Sequence, residues 1–393
     1  MINNRFLITG VTFVALGLMG LFFAFVGTSL PSMRSFFKIN IKDAGLMTAT
    51  VQLGFALTCF LGGILSDIFS KDKVLMIGSF FLALGGFFLG INNIFYFNLF
   101  ILGVMGIGSG LILSGSNALV VELFPQKRGA ILNLLHIFFA IGSFLGPLFM
   151  GYIISLKYSW QNGYRALGGV ALFIFLFFIF TRIAKRSQDL KIKVSEIRGL
   201  IKEKDFLFLI LINFLSIGIQ FAIMFMIVTF LKEARGFSIA SSSIVLSSFF
   251  ILLAIGRLIS SAVALKVSNS KILMFLLFFL SILLVIGWMT KGFCSGIIFA
   301  FTGLACSGIF PSLLALISLF FSEMTGTVMG ILAMCGGLGG MTITYLTALI
   351  SQHLGLNVGF ILILSLSIFT FFFFMINYKD FLEKELHHQF LKG

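Results

Sequence analysis

Apolar runs follow one another along the whole chain, at about 7–30, 44–65, 74–92, 95–122, 129–155 and 163–182. After a polar stretch they resume at about 206–231, 238–265, 272–290, 295–321, 326–350 and 357–377. Each run is near the ~20 residues that carry a helix across a bilayer. None alternates apolar and polar residues as a membrane-barrel strand does. Backbone inside lipid must satisfy its own hydrogen bonds, and helices do so. The pattern predicts an all-α polytopic membrane protein with twelve transmembrane helices. The first run follows Arg5 without a small-residue cleavage site, so it reads as an uncleaved span.

The one sustained polar stretch, Thr181–Asp205, divides the runs into six and six. The expected organisation is a six-helix bundle over 1–182, a basic linker over 183–205, a second six-helix bundle over 206–378 and a tail over 379–393. In the linker, Leu190, Val194, Ile197, Leu200 and Ile201 can share one helical face. It reads either as a surface-lying amphipathic helix or as a charged connector.

Composition sharpens this picture. Hydrophobic residues make up 59% of the 393 and charged residues 10%, with mean hydropathy +1.15. Soluble domains carry about 25% charge. The net charge of +14 would suggest nucleic acid in a soluble protein, but here it is read against the membrane. With the N-terminus inside, 18 Lys and Arg fall on inner loops and termini, 8 fall outside, and Arg257 lies within a span. That bias predicts both termini cytoplasmic, and the expected location is a bacterial cytoplasmic membrane. Four scattered Cys with no CxxC pair argue against structural zinc, and no cofactor is expected. No Walker loop, HExxH or channel-filter repeat is present, so neither enzyme nor channel is indicated.

The two halves share a weak repeat. At an offset of 197, Arg128-Gly129 aligns with Thr325-Gly326 and Gly142 with Gly339. Lys73-Val74-Leu75-Met76 aligns with Lys271-Ile272-Leu273-Met274 at 198. Parallel six-span repeats place substrate near mid-membrane between the bundles.

Polar residues within the spans are the candidate chemistry. Asn117 and Ser114 lie three apart in a Gly-rich fourth span. Asn133 and His136 lie three apart in the fifth, ahead of Gly142, Gly146-Pro147 and Gly151. Gln52, Asn213 and Gln220 are amides within apolar runs that need partners. Each either lines a substrate path or makes an interhelical hydrogen bond. Asp67, Lys71 and Arg257, near cytoplasmic span ends, are candidate gate residues or ordinary packing charges; Arg257 could also meet a substrate anion, though one basic residue makes a weak anion site. The abundant Phe reads as lipid-facing and core filler. No carboxylate lies at mid-span, which leaves His136 as the one buried titratable group of obvious relevance to proton coupling.

The pattern resembles the major facilitator superfamily over essentially the whole chain. That family's loop signature, Gly-x-x-x-Asp-(Arg/Lys)-x-Gly-(Arg/Lys), is matched at Gly63 and Asp67 and roughly at Lys71; Ile68 and Ser70 depart from it. Ser116-Asn117-Ala118-Leu119 through Arg128-Gly129 and Leu132-Asn133-Leu134-Leu135-His136 resemble the fucose and glucose/galactose permease branch. That branch's acids fall on Gly27 and Leu113 here, and its fifth-span amide on Phe139. The resemblance implies a monomeric alternating-access transporter in contact with lipid. Its cargo would be a small polar solute, a sugar or sugar-like metabolite other than fucose, with a proton or sodium as candidate coupling ion. Two rival readings are a drug or metabolite efflux antiporter and a non-transporting sensor or scaffold on the same fold.

Overall fold

The computed structural model describes residues 4–68, 70–181, 202–321 and 325–390; side chains at 63, 64, 66–68, 129–130, 325–329 and 388–390 lie outside that description. The linker positions Leu190 to Ile201 also lie outside it. Among the described residues the N-terminal half contains α1 (Arg5–Phe37), α2 (Ile41–Ile68), α3 (Lys71–Phe88), α4 (Phe95–Leu123), α5 (Arg128–Ser155) and α6 (Gln161–Ile179). The C-terminal half contains α7 (Lys204–Arg235), α8 (Ile239–Val263), α9 (Asn269–Met289), α10 (Gly292–Cys306), α11 (Ile309–Phe320), α12 (Thr325–Leu354) and α13 (Leu356–Phe390).

Eleven described segments are long and apolar enough to cross a membrane, with α10 and α11 counted as one, Gly292–Phe320. The remaining span is α3. It has 18 residues and opens on Lys71-Asp72-Lys73, three charges that dilute its apolar window. It nevertheless packs on α4 and α6 inside the bundle. The chain is thus an all-α polytopic membrane protein with the expected crossings. The tenth span differs from the unbroken run expected. It breaks between Cys306 and Ile309. Pro311, the third residue of the second piece, has no N–H and its ring crowds the carbonyl four residues back, which accounts for the joint. Pro147, by contrast, lies inside an uninterrupted α5.

Short connections make successive spans antiparallel. The start of α1, the end of α6, the start of α7 and the end of α13 therefore share one face, here the linker face. The opposite end is the far face. The repeat is visible in the packing. A Cβ on Gly142 would collide with the Gly17 carbonyl, and one on Gly339 with the Phe214 carbonyl. The offset of 197 that relates Gly142 to Gly339 also relates Gly17 to Phe214. The contact of α5 on α1 therefore recurs as that of α12 on α7.

The halves meet along α1 with α7, α2 with α12, and α5 with α8. On the far side of the mid-plane these meetings are tight. Gly27 admits the Met224 carbonyl with no room for a side chain. Ile41 N–H donates to Gln352 Oε1 at 3.1 Å, and Ser247 Oγ donates to the Phe144 carbonyl at 2.5 Å. At the linker face α13 continues beyond the expected span end. Its Glu385 is fully buried and accepts from the Asn269 and Ser270 N–H groups at 2.6 and 2.9 Å. This caps the first turn of α9, whose unpaired amides attract a carboxylate. Lys384 alongside bridges Asp205 at 2.7 Å and Asp380 at 2.8 Å.

Candidate functional site

The mid-plane between the halves holds one polar group in an aromatic setting. Gln52 projects from the middle of α2 and is fully buried. Neither its Oε1 nor its Nε2 has a hydrogen-bond partner among the described residues. Across the interface it lies against Gly340 of α12 and beside Phe221 of α7; a Cβ on Gly340 would strike the Gln52 amide nitrogen. An unpaired buried amide costs about 1–3 kcal/mol, so this side chain is not placed for stability.

Four phenylalanines surround that region. Phe23 of α1 meets Phe55 of α2 edge-on at 5.1 Å, and meets Phe221 and Phe225 of α7 at 6.0 and 6.2 Å. Phe221 and Phe225 stack at 6.0 Å. Rings from both halves thus close on one another at mid-span. Reading Phe as filler missed this cluster, because composition does not report which ring faces which helix.

The other expected residues divide. Asn213 is fully buried on α7 and donates from Nδ2 to the Leu332 carbonyl at 2.8 Å, while its Oδ1 has no partner among the described residues. It ties α7 to α12 within one half. Gln220 is half-buried beside Phe221. On α4, Asn117 is half-buried with an unpartnered, inaccessible Oδ1, and Ser116 Oγ next to it is equally unpartnered. Ser114 instead donates back to the Gly110 carbonyl at 2.9 Å. Asn133 is exposed on the linker-face half of α5.

His136 and Arg257 lie on helices that pack against each other across the halves. Helices α5 and α8 run antiparallel, with Phe144 opposite Ser247 and Gly151 opposite Ser243. Continuing that register about two to three turns toward the linker face brings His136 opposite Arg257. Arg257 Nε is buried without a hydrogen-bond partner.

Of the proposed gate residues, Lys71 pairs with Glu122 at 3.0 Å, which links the start of α3 to the end of α4 inside one half. Asp67 is in the last turn of α2, and its side chain lies outside the described residues. An ion pair not singled out from sequence joins the halves at the far face. Arg34 Nη1 donates to both carboxylate oxygens of Glu233 at 2.6 Å. Each lies inside the last turn or so of its helix. Gly27, where the resembling branch carries an acid, is here the crossing point with α7. Among the described residues no three His, Cys, Asp or Glu could hold a metal ion.

Comparison with known proteins agrees with this architecture. "Protein TsgA homolog" of Buchnera aphidicola is 27% identical over 194 residues, 48% of this chain and 49% of that one. The matched region thus spans about half the length of that curated relative. A bacterial homologue of the human lysosomal transporter Spinster, solved inward-facing and unoccupied, superposes with TM-score 0.81 at 12% identity, over 97% of this chain and 98% of that one. The E. coli fucose:proton symporter superposes with TM-score 0.65 at 18% identity, over 95% of this chain and 99% of that one. At these identities the superpositions establish the fold. The family model of the Major Facilitator Superfamily matches residues 12–301, and the chain belongs to that superfamily.

Proposed function

We propose that this protein is a secondary transporter of the bacterial cytoplasmic membrane that moves a small polar solute, a sugar or sugar-like metabolite, by alternating access. The observation that carries the reading is Gln52, a fully buried amide with both polar atoms unpaired at the mid-plane between the halves. A hydroxyl of a bound solute would satisfy it. The rings of Phe23, Phe55, Phe221 and Phe225 offer apolar faces suited to the C–H face of a pyranose. Gln220, Asn117, Asn133 and Asn213 are further proposed polar contacts along the path toward the linker face.

The excess of Lys and Arg on the linker face supports a cytoplasmic placement for it. The far-face closure, from Arg34–Glu233 to Ile41–Gln352, then corresponds to a state shut toward the outside. Lys71, Asp67 and Arg257 are proposed to act in closing the cytoplasmic side, and a proton or sodium is the proposed coupling ion. The aromatic cluster equally suits an amphiphilic compound, which favours efflux as the second reading.

Purified protein in proteoliposomes, given a panel of labelled monosaccharides with and without a pH or sodium gradient, tests this. Saturable flux of a sugar is expected. Saturable flux of a hydrophobic cation with none of any sugar would transfer the assignment to efflux.

A further inference from the structure

A half-buried guanidinium with no acidic partner among the described residues demands an explanation. Arg257 lies on α8 about two turns from its linker-face end. Its Nε is inaccessible and unbonded, and no Asp or Glu among the described residues pairs with it. The antiparallel register of α5 on α8 places His136, from the other half, opposite it. Shielding a guanidinium from water without a counter-charge is costly, and a bound anion would offset that cost. The surrounding helix is built closely around this place. Gly256, just before Arg257, admits Ser307, and Ser260, one turn on, lies against Gly308, so the joint of the broken tenth span sits on the turn that bears the guanidinium.

We propose that Arg257 and His136 form an anion subsite on the transport path, so that the cargo is a hydroxylated solute carrying a carboxylate or another small oxyanion. The guanidinium would grip two oxygens of the anion from the C-terminal half, and the imidazole would donate one hydrogen bond from the N-terminal half. Because the two residues come from different halves, an anion between them draws the halves together at the linker face. An empty site leaves the guanidinium without a counter-charge, which favours admitting water and separation there. Unloaded carrier would then rest open at this face, and loading would promote its closure. This inference rests on the transporter reading given above and adds the charge of the cargo.

The test compares neutral monosaccharides, their uronate and aldonate counterparts, and inorganic nitrate in proteoliposomes, with wild type, Arg257→Gln, Arg257→Lys and His136→Gln. Thermal unfolding of each variant identifies any that fail to fold. Saturable uptake of a sugar acid is expected. It should fall at least about tenfold in Arg257→Gln and recover only partly in Arg257→Lys, since lysine keeps the charge and loses the fork. The sugar acid should also raise the melting temperature of wild type and not of Arg257→Gln, a readout independent of flux. Uptake of a neutral sugar that is unaffected by Arg257→Gln and uncompeted by its acid would overturn the anion subsite and leave the transporter reading standing. Uptake of nitrate alone, dependent on Arg257, would uphold the subsite and remove the sugar-like cargo. No flux of any of these solutes through folded protein would sink both.

Discussion

Arg34, at the far end of α1, holds both carboxylate oxygens of Glu233, at the far end of α7, at 2.6 Å. The bond joins the two helices that cross closely at Gly27, where the Met224 carbonyl leaves no room for a side chain. It therefore acts as a clasp on the far-face closure and contributes little to the fold of either half. Its side chains are 19% and 32% exposed, so solvent screens it and it is worth at most about 1 kcal/mol. That is up to about fivefold in an open–closed equilibrium. Glu233→Gln should raise the rate at which a cysteine placed at Thr344 is labelled from the far face two- to fivefold, in a background lacking Cys294. An unchanged rate would show that the clasp does not hold this side shut.

Gly27 predicts a stronger effect. Any side chain there meets the Met224 carbonyl. Gly27→Ala should cost about 1–3 kcal/mol in the far-closed state, the usual range for overpacking. Because the strain lies between the halves, it can be relieved by opening. Far-face labelling should rise by tenfold or more while the melting temperature changes little. A large fall in melting temperature without increased labelling would place the strain in the fold and not in the gate.

Gln52 and Asn213 should respond oppositely to removal of their amides. Gln52 has neither polar atom paired, so Gln52→Leu relieves a desolvation cost and should leave the melting temperature unchanged or raised by a few degrees. Asn213 donates to the Leu332 carbonyl, so Asn213→Leu breaks a buried bond and should cost about 1–2 kcal/mol. If Gln52→Leu is the more destabilising of the two, Gln52 is a structural tie and its proposed part in binding is lost.

Glu385 tests the α13 extension. Its carboxylate accepts from two amides that open α9, where removing a cap costs about 0.5–2 kcal/mol. Glu385→Ala should lower the melting temperature, and Glu385→Gln should lose part of the same stability, since an amide oxygen still accepts but carries no charge for the helix dipole. Equal stability in all three proteins would mean that the cap is exchanged for water at no cost.

These residues also mark what the sequence could tell. The spans were legible because an apolar run of membrane length has few alternative fates. The repeat was legible at Gly142 and Gly339 because glycine is required where backbones touch, and both sit at such a contact. The third span was harder to bound, since Lys71-Asp72-Lys73 lie within its helix. The joint at Ser307–Gly308 was missed although Pro311 signalled it, because the apolar run continues unbroken through it. Least legible was the rotation of each helix about its axis. Periodicity is weak when every face is apolar, so the sequence could name Gln52 and Asn213 as amides but not distinguish the unpaired one from the tied one. The same limit hid the ring cluster around Phe23 and the clasp between Arg34 and Glu233.

The central claim is that a polar solute is carried past Gln52 between two moving halves. Proteoliposome counterflow of labelled sugars and sugar acids, with wild type and Gln52→Leu compared at equal folded protein, tests it most directly. Saturable exchange by wild type, reduced at least about tenfold in a Gln52→Leu protein of undiminished stability, is the predicted result. Exchange of equal rate and affinity in both proteins would contradict it.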